Sequence, residues 1–242
     1  MVWGLGRLAR GAPADRLART ESGQMRILAI DAALARCSAG VVRGDSLLAS
    51  RVADARQGHA ALLPGLVEAA LAEAELAVPE LDLIAVTVGP GSFTGVRAAL
   101  SLAHGLALGG GVPIVGVTVG EALADALPRL GGRTPWVATD SRRGRIFLER
   151  GPEILSLALD ALPAAGGPVA VAGDASIAVA GRLAARDANV MLTNARFPAP
   201  RHVAMVAAAR HEGRLPARGA LPMYVDPPEA RLPAGGLRPP PV

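Results

Sequence analysis

The residues of this chain that are best placed to contact a phosphate group lie in the segment 83–97, LIAVTVGPGSFTGVR. A run of apolar, mostly β-branched residues ends at Gly89, and a helical pattern begins near Val96. A glycine-rich turn between a strand and a helix places backbone N–H groups at the helix N-terminus, where they can bind an anion. The same spacing also fits a tight turn with a structural role. The residues of this predicted turn are Gly89, Pro90, Gly91, Ser92, Phe93, Thr94, Gly95 and Arg97.

Two predicted strands end in an aspartate, and these carboxylates are the next candidates for chemistry. Asp31 ends the strand 26–31, and Asp140 ends the strand 135–140. Close approach of the backbone to a phosphate requires glycine, but the turns 32–36 and 141–144 contain Gly144 alone. We therefore expect structural aspartates at both positions.

The histidines and the cysteine lack the spacing of a metal site or a redox site. His59 precedes a helical run, but the residue four positions later is Leu63, so the helix offers no second ligand. His202 and His211 do not share a helix face. Cys37 is the only cysteine, which excludes an intrachain disulfide. We predict that the chain binds no metal and has no catalytic residue of its own.

The composition narrows the chemistry further. Among the 242 residues there is no lysine, and all 25 basic residues are arginines. This excludes a Walker A lysine, a Schiff-base lysine and a lysine general base. The net charge of +4 and the pI of 10.7 permit contact with RNA without arguing for it, because the arginines are scattered.

The elements that must position these residues alternate between strand and helix. In the first half we predict strands near 26–31, 38–43 and 46–53, a helix near 59–76, a strand at 83–88, a helix at 95–109, a strand at 113–117 and a short helix near 119–127. In the second half we predict strands at 135–140, 145–149 and 169–172, a helix capped by Asp174 that ends near 186, a strand at 189–193 and a helix near 201–211. The pattern predicts an α/β protein with two similar subdomains.

Four segments follow from this pattern. Residues 25–128 and 129–225 form the two predicted subdomains, and 226–242 form a proline-rich tail that we expect to be disordered. Residues 1–24 are an arginine-bearing extension, interpreted as a disordered segment, as residues from an upstream start codon, or as a targeting peptide. The uncharged stretch 98–120 is divided by glycines and by Pro113, so we interpret it as a helix and a strand rather than a membrane span.

In this order and at these spacings, the elements resemble the TsaB (YeaZ) family. The resemblance rests on GPGSFTGVR, on the strand that ends at Asp31, on the hairpin partner CSAGVV, and on His59 with the helical run ALLPGLV. It covers residues 25–121 strongly and 136–225 loosely. It implies a duplicated actin-like (sugar-kinase/heat-shock ATPase) fold, in which 221–225 is a strand-like C-terminal anchor.

The resemblance also implies a function. A TsaB-like chain is a non-catalytic, cytoplasmic subunit that pairs with a TsaD-like subunit, which transfers a threonylcarbamoyl group to the tRNA adenosine next to the anticodon. Its other implied partners are a TsaE-like ATPase and a second copy of itself, with tRNA met only through the complex. ATP and metal are expected on the partner subunits. Asp31 and Asp140 then become relics of a nucleotide site, and His59 lacks the second histidine with which TsaD holds a metal.

Small residues follow two lines of the helix 95–109, which lets another helix approach closely. Ser101, Gly105 and Gly109 form one line, and Ala99, Ala103 and Ala107 form the other. The approaching helix belongs either to the same domain or, as the resemblance implies, to a second subunit. The predicted partner interface comprises His59, Leu62, Leu66, Ala99, Ala103, Gly105 and Leu106.

A different class of function is an enzyme in its own right. Its two forms are a nucleotide phosphotransferase of the actin-like fold and a metalloprotease of the glycoprotease type. The missing lysine, the single histidine at the helix start and the glycine-poor turns argue against both. Ser92 does not stand in a G-x-S-x-G elbow, which argues against a hydrolase nucleophile there.

Overall fold

The chain folds into two five-stranded mixed sheets. The computed structural model describes residues 24–55, 57–127 and 130–225. The strands of the first sheet are β1 (Arg26–Asp31), β2 (Arg36–Arg43), β3 (Ser46–Asp54), β4 (Leu83–Gly89) and β5 (Ile114–Thr118). Those of the second are β6 (Thr134–Asp140), β7 (Ile146–Arg150), β8 (Glu153–Leu157), β9 (Val169–Ala172) and β10 (Val190–Leu192). The helices are α1 (His59–Glu73), α2 (Phe93–Gly110), α3 (Val119–Asp125), α4 (Ser176–Ala184) and α5 (Pro200–His211).

Both sheets have the same topology. The first has the strand order β3-β2-β1-β4-β5, and the second has β8-β7-β6-β9-β10 when read in the same direction. In each, the first three strands form an antiparallel meander, and the last two lie parallel to the first strand. The repeat of this topology in both sheets confirms the predicted duplicated actin-like α/β fold.

The first sheet is covered by helices on both faces. Side chains alternate along a strand, so Leu28 and Ile30 of β1 pack with α1 and α2 on one face. Ile27 and Ala29 pack on the other face, where α5 supplies a row of small apolar residues that includes Val203. Although α5 follows the second sheet in the chain, it therefore completes the core of the first.

The second sheet has a separate core. Trp136 and Leu148 pack with Val179 and Leu183 of α4. No long helix joins β8 to β9, where the described chain makes one 3-10 turn at Leu159–Ala161. In the first sheet α1 lies between β3 and β4 in the chain, and the described connection from β8 to β9 has no corresponding helix.

Most predicted elements agree with the structure to within a few residues, and two details do not. Strand β8 was not predicted. The predicted cap of α4 by Asp174 is wrong, because α4 begins after Ala175 and the Asp174 carboxylate accepts a hydrogen bond from the Asp140 N–H at 2.9 Å. Apart from Gln24, the predicted extension 1–24 lies outside the described residues, as does the tail 226–242. In the described part of the chain, no helix combines the length and the apolar character needed to cross a membrane.

Candidate functional site

The glycine-rich turn connects β4 to α2 and is held by its own chain. Ser92 caps α2, and its hydroxyl accepts a hydrogen bond from the Gly95 N–H at 3.2 Å. The Ser92 N–H donates to the carbonyl oxygen of Ala33 at 2.6 Å. Two N–H groups that a phosphate cradle would present to its ligand are thus already paired within the protein.

The turn after β1 fills the space in front of these glycines. A Cβ atom at Gly91 would lie 2.1 Å from the Ala33 carbonyl oxygen, and one at Gly95 would lie 2.1 Å from the Ala32 carbonyl oxygen. Both distances are far below van der Waals contact, so only glycine fits at either position. The absence of side chains at these glycines lets the backbone of residues 32–33 pack against the turn. This favours the structural interpretation of the turn over the anion-binding one.

The side chain of Asp31 stabilises the 32–33 turn that packs against these glycines. Its Oδ1 accepts a hydrogen bond from the Thr87 hydroxyl at 2.6 Å and another from the Ala33 N–H at 3.1 Å. The carboxylate is buried, and its Oδ2 has no partner among the described residues. Burial raises the pKa of Asp31 to about 6, although the hydrogen bonds from Thr87 and Ala33 act in the opposite direction. Asp31 therefore braces the 32–33 turn against β4.

The other predicted polar residues do not join Asp31 in a common site. Asp140 is exposed and accepts a hydrogen bond from the Arg142 N–H at 2.7 Å. His59 is buried at the start of α1, and this burial lowers the pKa of its imidazole. Across residues 24–55, 57–127 and 130–225, no group of three or more His, Cys, Asp and Glu side chains is placed to hold a metal ion.

Helices α1 and α2 enclose an open groove of about 510 Å³ on the outer surface of the first sheet. Its polar lining residues are Thr94, Arg97 and Ser101. Its apolar lining residues are Ala60, Leu63, Pro64, Phe93, Ala98 and Leu102. Phe93, in this lining, is 55% exposed, and Leu62 of α1, outside it, is 40% exposed. Exposed apolar side chains along a groove are typical of a surface that binds another protein.

The structure corrects part of the predicted interface. Ala99, Ala103 and His59 are buried inside the first subdomain, so their side chains cannot contact a second subunit in this conformation. The alanine line of α2 faces the sheet, whereas the line that contains Ser101 and Gly105 faces outward. Sequence could identify two close-packing lines but not which one meets the core.

The remaining predicted interface residues lie on the outer surface. Leu62 and Gly105 are exposed, and Leu66 and Leu106 are partly buried. These four residues stay candidates for contact with a partner.

One residue at this surface, Tyr224, is not among the predicted site residues. Its phenol oxygen accepts a hydrogen bond from Arg97 Nη2 at 2.7 Å, and the Arg97 guanidinium stacks 3.7 Å from the centre of the Phe93 ring. The segment 221–225 forms no regular strand, but the Met223 N–H donates to the Val88 carbonyl oxygen at 2.8 Å. The one available signal was compositional, since Tyr224 is the only tyrosine of the chain.

Comparison with known proteins identifies the family. The family model described as "TsaD: tRNA N6-adenosine threonylcarbamoyltransferase" matches residues 52–205, which include α1, the glycine-rich turn and α2. The chain belongs to this family. Over 124 residues it is 35% identical to the tRNA threonylcarbamoyladenosine biosynthesis protein TsaB of Escherichia coli, covering 51% of this chain and 53% of that protein. Over 130 residues it is 42% identical to the tRNA N6-adenosine threonylcarbamoyltransferase of Paracoccus denitrificans, covering 46% of this chain and 36% of that protein.

Among solved structures, the chain is similar to YeaZ from Pseudomonas aeruginosa. The two share 25% identity and a TM-score of 0.68, over 83% of this chain and 99% of that one. These matches confirm the TsaB/YeaZ resemblance that GPGSFTGVR indicates. The chain spans about half the length of the curated relatives it matches.

Proposed function

We propose that this chain is a non-catalytic, TsaB-like subunit that pairs with a TsaD-like catalytic subunit. In this proposal the partner transfers the threonylcarbamoyl group to the tRNA adenosine next to the anticodon. The observation that carries the proposal is the family match, which spans α1, the turn and α2, together with the exposed groove between these helices. The proposal places the chain in the cytoplasm, where tRNA is modified.

The geometry of the turn favours a non-catalytic role for this chain. Backbone of residues 32–33 occupies the space in front of Gly91 and Gly95 that a nucleotide phosphate would need. Asp31 is committed to Thr87 and to the 32–33 turn. The chain also has no lysine to hold a phosphate. As the family resemblance implies, the proposal assigns ATP and metal to the partner subunits, a TsaD-like and a TsaE-like protein, and tRNA is met through the complex.

The test is reconstitution with purified components. The full chain is mixed with the TsaD-like and TsaE-like proteins of the same organism, tRNA, ATP and the threonylcarbamoyl donor, and modified adenosine is measured by nucleoside mass spectrometry. We expect the modification to require this chain, and we expect the chain to copurify with the TsaD-like subunit. The chain alone is assayed for ATP hydrolysis, for peptidase activity and for bound zinc or iron. Turnover by the isolated chain, or modification at full rate without it, would overturn the proposal.

A further inference from the structure

One cation in the lining of the α1–α2 groove, Arg97, contacts two aromatic side chains and has no opposing charge among the described residues. The guanidinium of Arg97 lies 3.7 Å from the centre of the Phe93 ring and donates from Nη2 and Nε to the Tyr224 phenol oxygen at 2.7 and 3.2 Å. The rings of Phe93 and Tyr224 are 6.3 Å apart. Aromatic and phenol contacts orient an arginine but do not neutralise it.

No carboxylate within the described residues pairs with Arg97. Some other arginines have one: Arg26 pairs with Asp82 at 3.1 Å, and Arg36 pairs with Asp54 at 2.8 Å. The sequence of α2, Phe93–Gly110, contains no aspartate or glutamate at all. Arg97 therefore presents an oriented, exposed positive charge within the mostly apolar lining of the groove.

We propose that Arg97 is the anchor for an aspartate or glutamate on a helix of the TsaD-like subunit, an inference that rests on the proposed function. Apolar side chains of that helix fill the groove against Leu63 and Leu102, while its carboxylate meets Arg97. A planar guanidinium held by two rings suits a two-pronged hydrogen bond to a carboxylate, and little side-chain entropy remains to be lost on binding.

Charge complementarity favours a different chain over a second copy as the occupant. In a second copy, α2 would bring another Arg97 and no carboxylate. On α1 the acidic residues are Glu68 and Glu73, and Glu73 is already paired with Arg51. Self-association through these helices would thus leave Glu68 alone to face Arg97.

Tyr224 acts as a positioning residue in this arrangement. The hydrogen bond from the Met223 N–H to the Val88 carbonyl oxygen fixes the C-terminal segment at the end of β4, which places Tyr224 over α2. Tyr224→Phe keeps the ring but removes the oxygen that accepts from Arg97. The C-terminal segment thereby sets the direction in which Arg97 points.

The test measures affinity for the purified TsaD-like subunit by calorimetry at about 0.05 M and about 0.5 M salt, where surface charges are weakly and strongly screened. The variants of the full chain are Arg97→Gln and Tyr224→Phe. Arg182→Gln is the matched control, because Arg182 is an exposed arginine on α4 of the other subdomain. Thermal melting checks that each variant is folded, and light scattering gives the oligomeric state of each isolated chain.

We expect Arg97→Gln to weaken binding about ten- to hundredfold at low salt and to flatten its salt dependence. Tyr224→Phe should weaken binding by a smaller factor while keeping the salt dependence, and Arg182→Gln should bind as the wild type does. If the wild-type chain binds the TsaD-like subunit and Arg97→Gln binds it with the same affinity and the same salt dependence, this inference is overturned and the proposed function stays intact. A loss of self-association in Arg97→Gln with unaltered affinity for the partner would assign the surface to a second copy and also overturn it. A wild-type chain that fails to bind the TsaD-like subunit would overturn both proposals.

Discussion

Glycines within α2 differ sharply in what surrounds them, and this difference can be tested. A Cβ atom at Gly95 would lie 2.1 Å from the backbone oxygen of Ala32, whereas Gly105 has open space around it. We expect Gly95→Ala to reduce the free energy of unfolding by about 3 kcal/mol, because backbone atoms cannot move aside as a flexible side chain does.

Gly105→Ala is the matched control on the same helix. It should increase stability by about 0.5–1 kcal/mol, because alanine favours a helix interior over glycine. The free energies of unfolding of both variants are measured by chemical denaturation. Equal stability of the two variants would show that backbone contact with residues 32–33 is not what requires glycine at position 95.

The glycine-rich turn shows what single residues reveal and what they conceal. The run LIAVTVGPGSFTGVR correctly predicts a strand, a turn and a helix, because the change from apolar β-branched residues to glycine is local. Which group approaches the glycines is not local. That group is the backbone at residues 32–33, and its approach depends on the pairing of β1 with β4.

At the scale of elements, strong local patterns were the most predictable. Strands β1 and β9 have the predicted bounds, 26–31 and 169–172, and every residue of the two except Arg26 is buried. Strand β8 escaped prediction because Glu153–Leu157 is a short, partly exposed strand at the edge of its sheet. The orientation of α2 could not be predicted either, because both of its faces carry small residues.

The two faces of α2 give a second prediction. Ala103 has no exposed surface and packs against the first sheet, so Ala103→Arg places a long charged side chain in a filled core. We expect this variant to lose about 3 kcal/mol or more of stability and to melt without a cooperative transition, because an unpaired buried charge adds to steric overlap. A folded variant unable to associate would be expected only if Ala103 lay at the predicted partner interface.

Ser101→Arg, on the outward line of the same helix, is the control. It adds the same side chain at an exposed position that lines the groove. We expect it to melt as the wild type does and to bind the TsaD-like subunit more weakly. Circular dichroism with thermal melting separates the two variants, and a normal melting curve for Ala103→Arg would contradict the burial of this face.

For the whole molecule, the two subdomains are joined by more than the covalent chain. Helix α5 packs on the first sheet, and the Gly116 N–H of β5 donates to the Arg218 carbonyl oxygen at 3.1 Å. Arg210 of α5 is buried and donates to the Gly116 carbonyl oxygen at 2.7 Å. The predicted boundary near residue 128 follows the order of the sheets, but packing assigns α5 to the first subdomain.

A buried carboxylate forms another link between the halves. Glu149, on β7 of the second sheet, accepts a hydrogen bond from the Gly120 N–H of α3 at 2.7 Å. Burial raises the pKa of Glu149 from 4.5 to about 7, against the opposing effect of hydrogen bonds from Thr118 and Gly120. Near neutral pH the Glu149 carboxyl group therefore changes between its neutral and its charged form.

The sign of the resulting pH dependence follows from proton binding. Between about pH 4.5 and about pH 7 the folded chain holds a proton on Glu149 that the unfolded chain has lost, so the contribution of Glu149 to stability falls as pH rises. Glu149→Gln retains an oxygen to accept from the Gly120 N–H and cannot ionise. We expect this variant to gain stability relative to the wild type, on the order of 3 kcal/mol, between about pH 4.5 and about pH 8.

The measurement is chemical denaturation of both proteins across this pH range. Subtracting the two curves removes the contribution of Asp31, which titrates in both. Glu68→Gln, at an exposed position of α1, makes the same change of charge without burial and is the control. A constant difference for Glu149→Gln would mean that Glu149 is ionised in the folded chain throughout this range. The two halves would then be joined at this point by a charged group rather than by a carboxyl group that can be neutral.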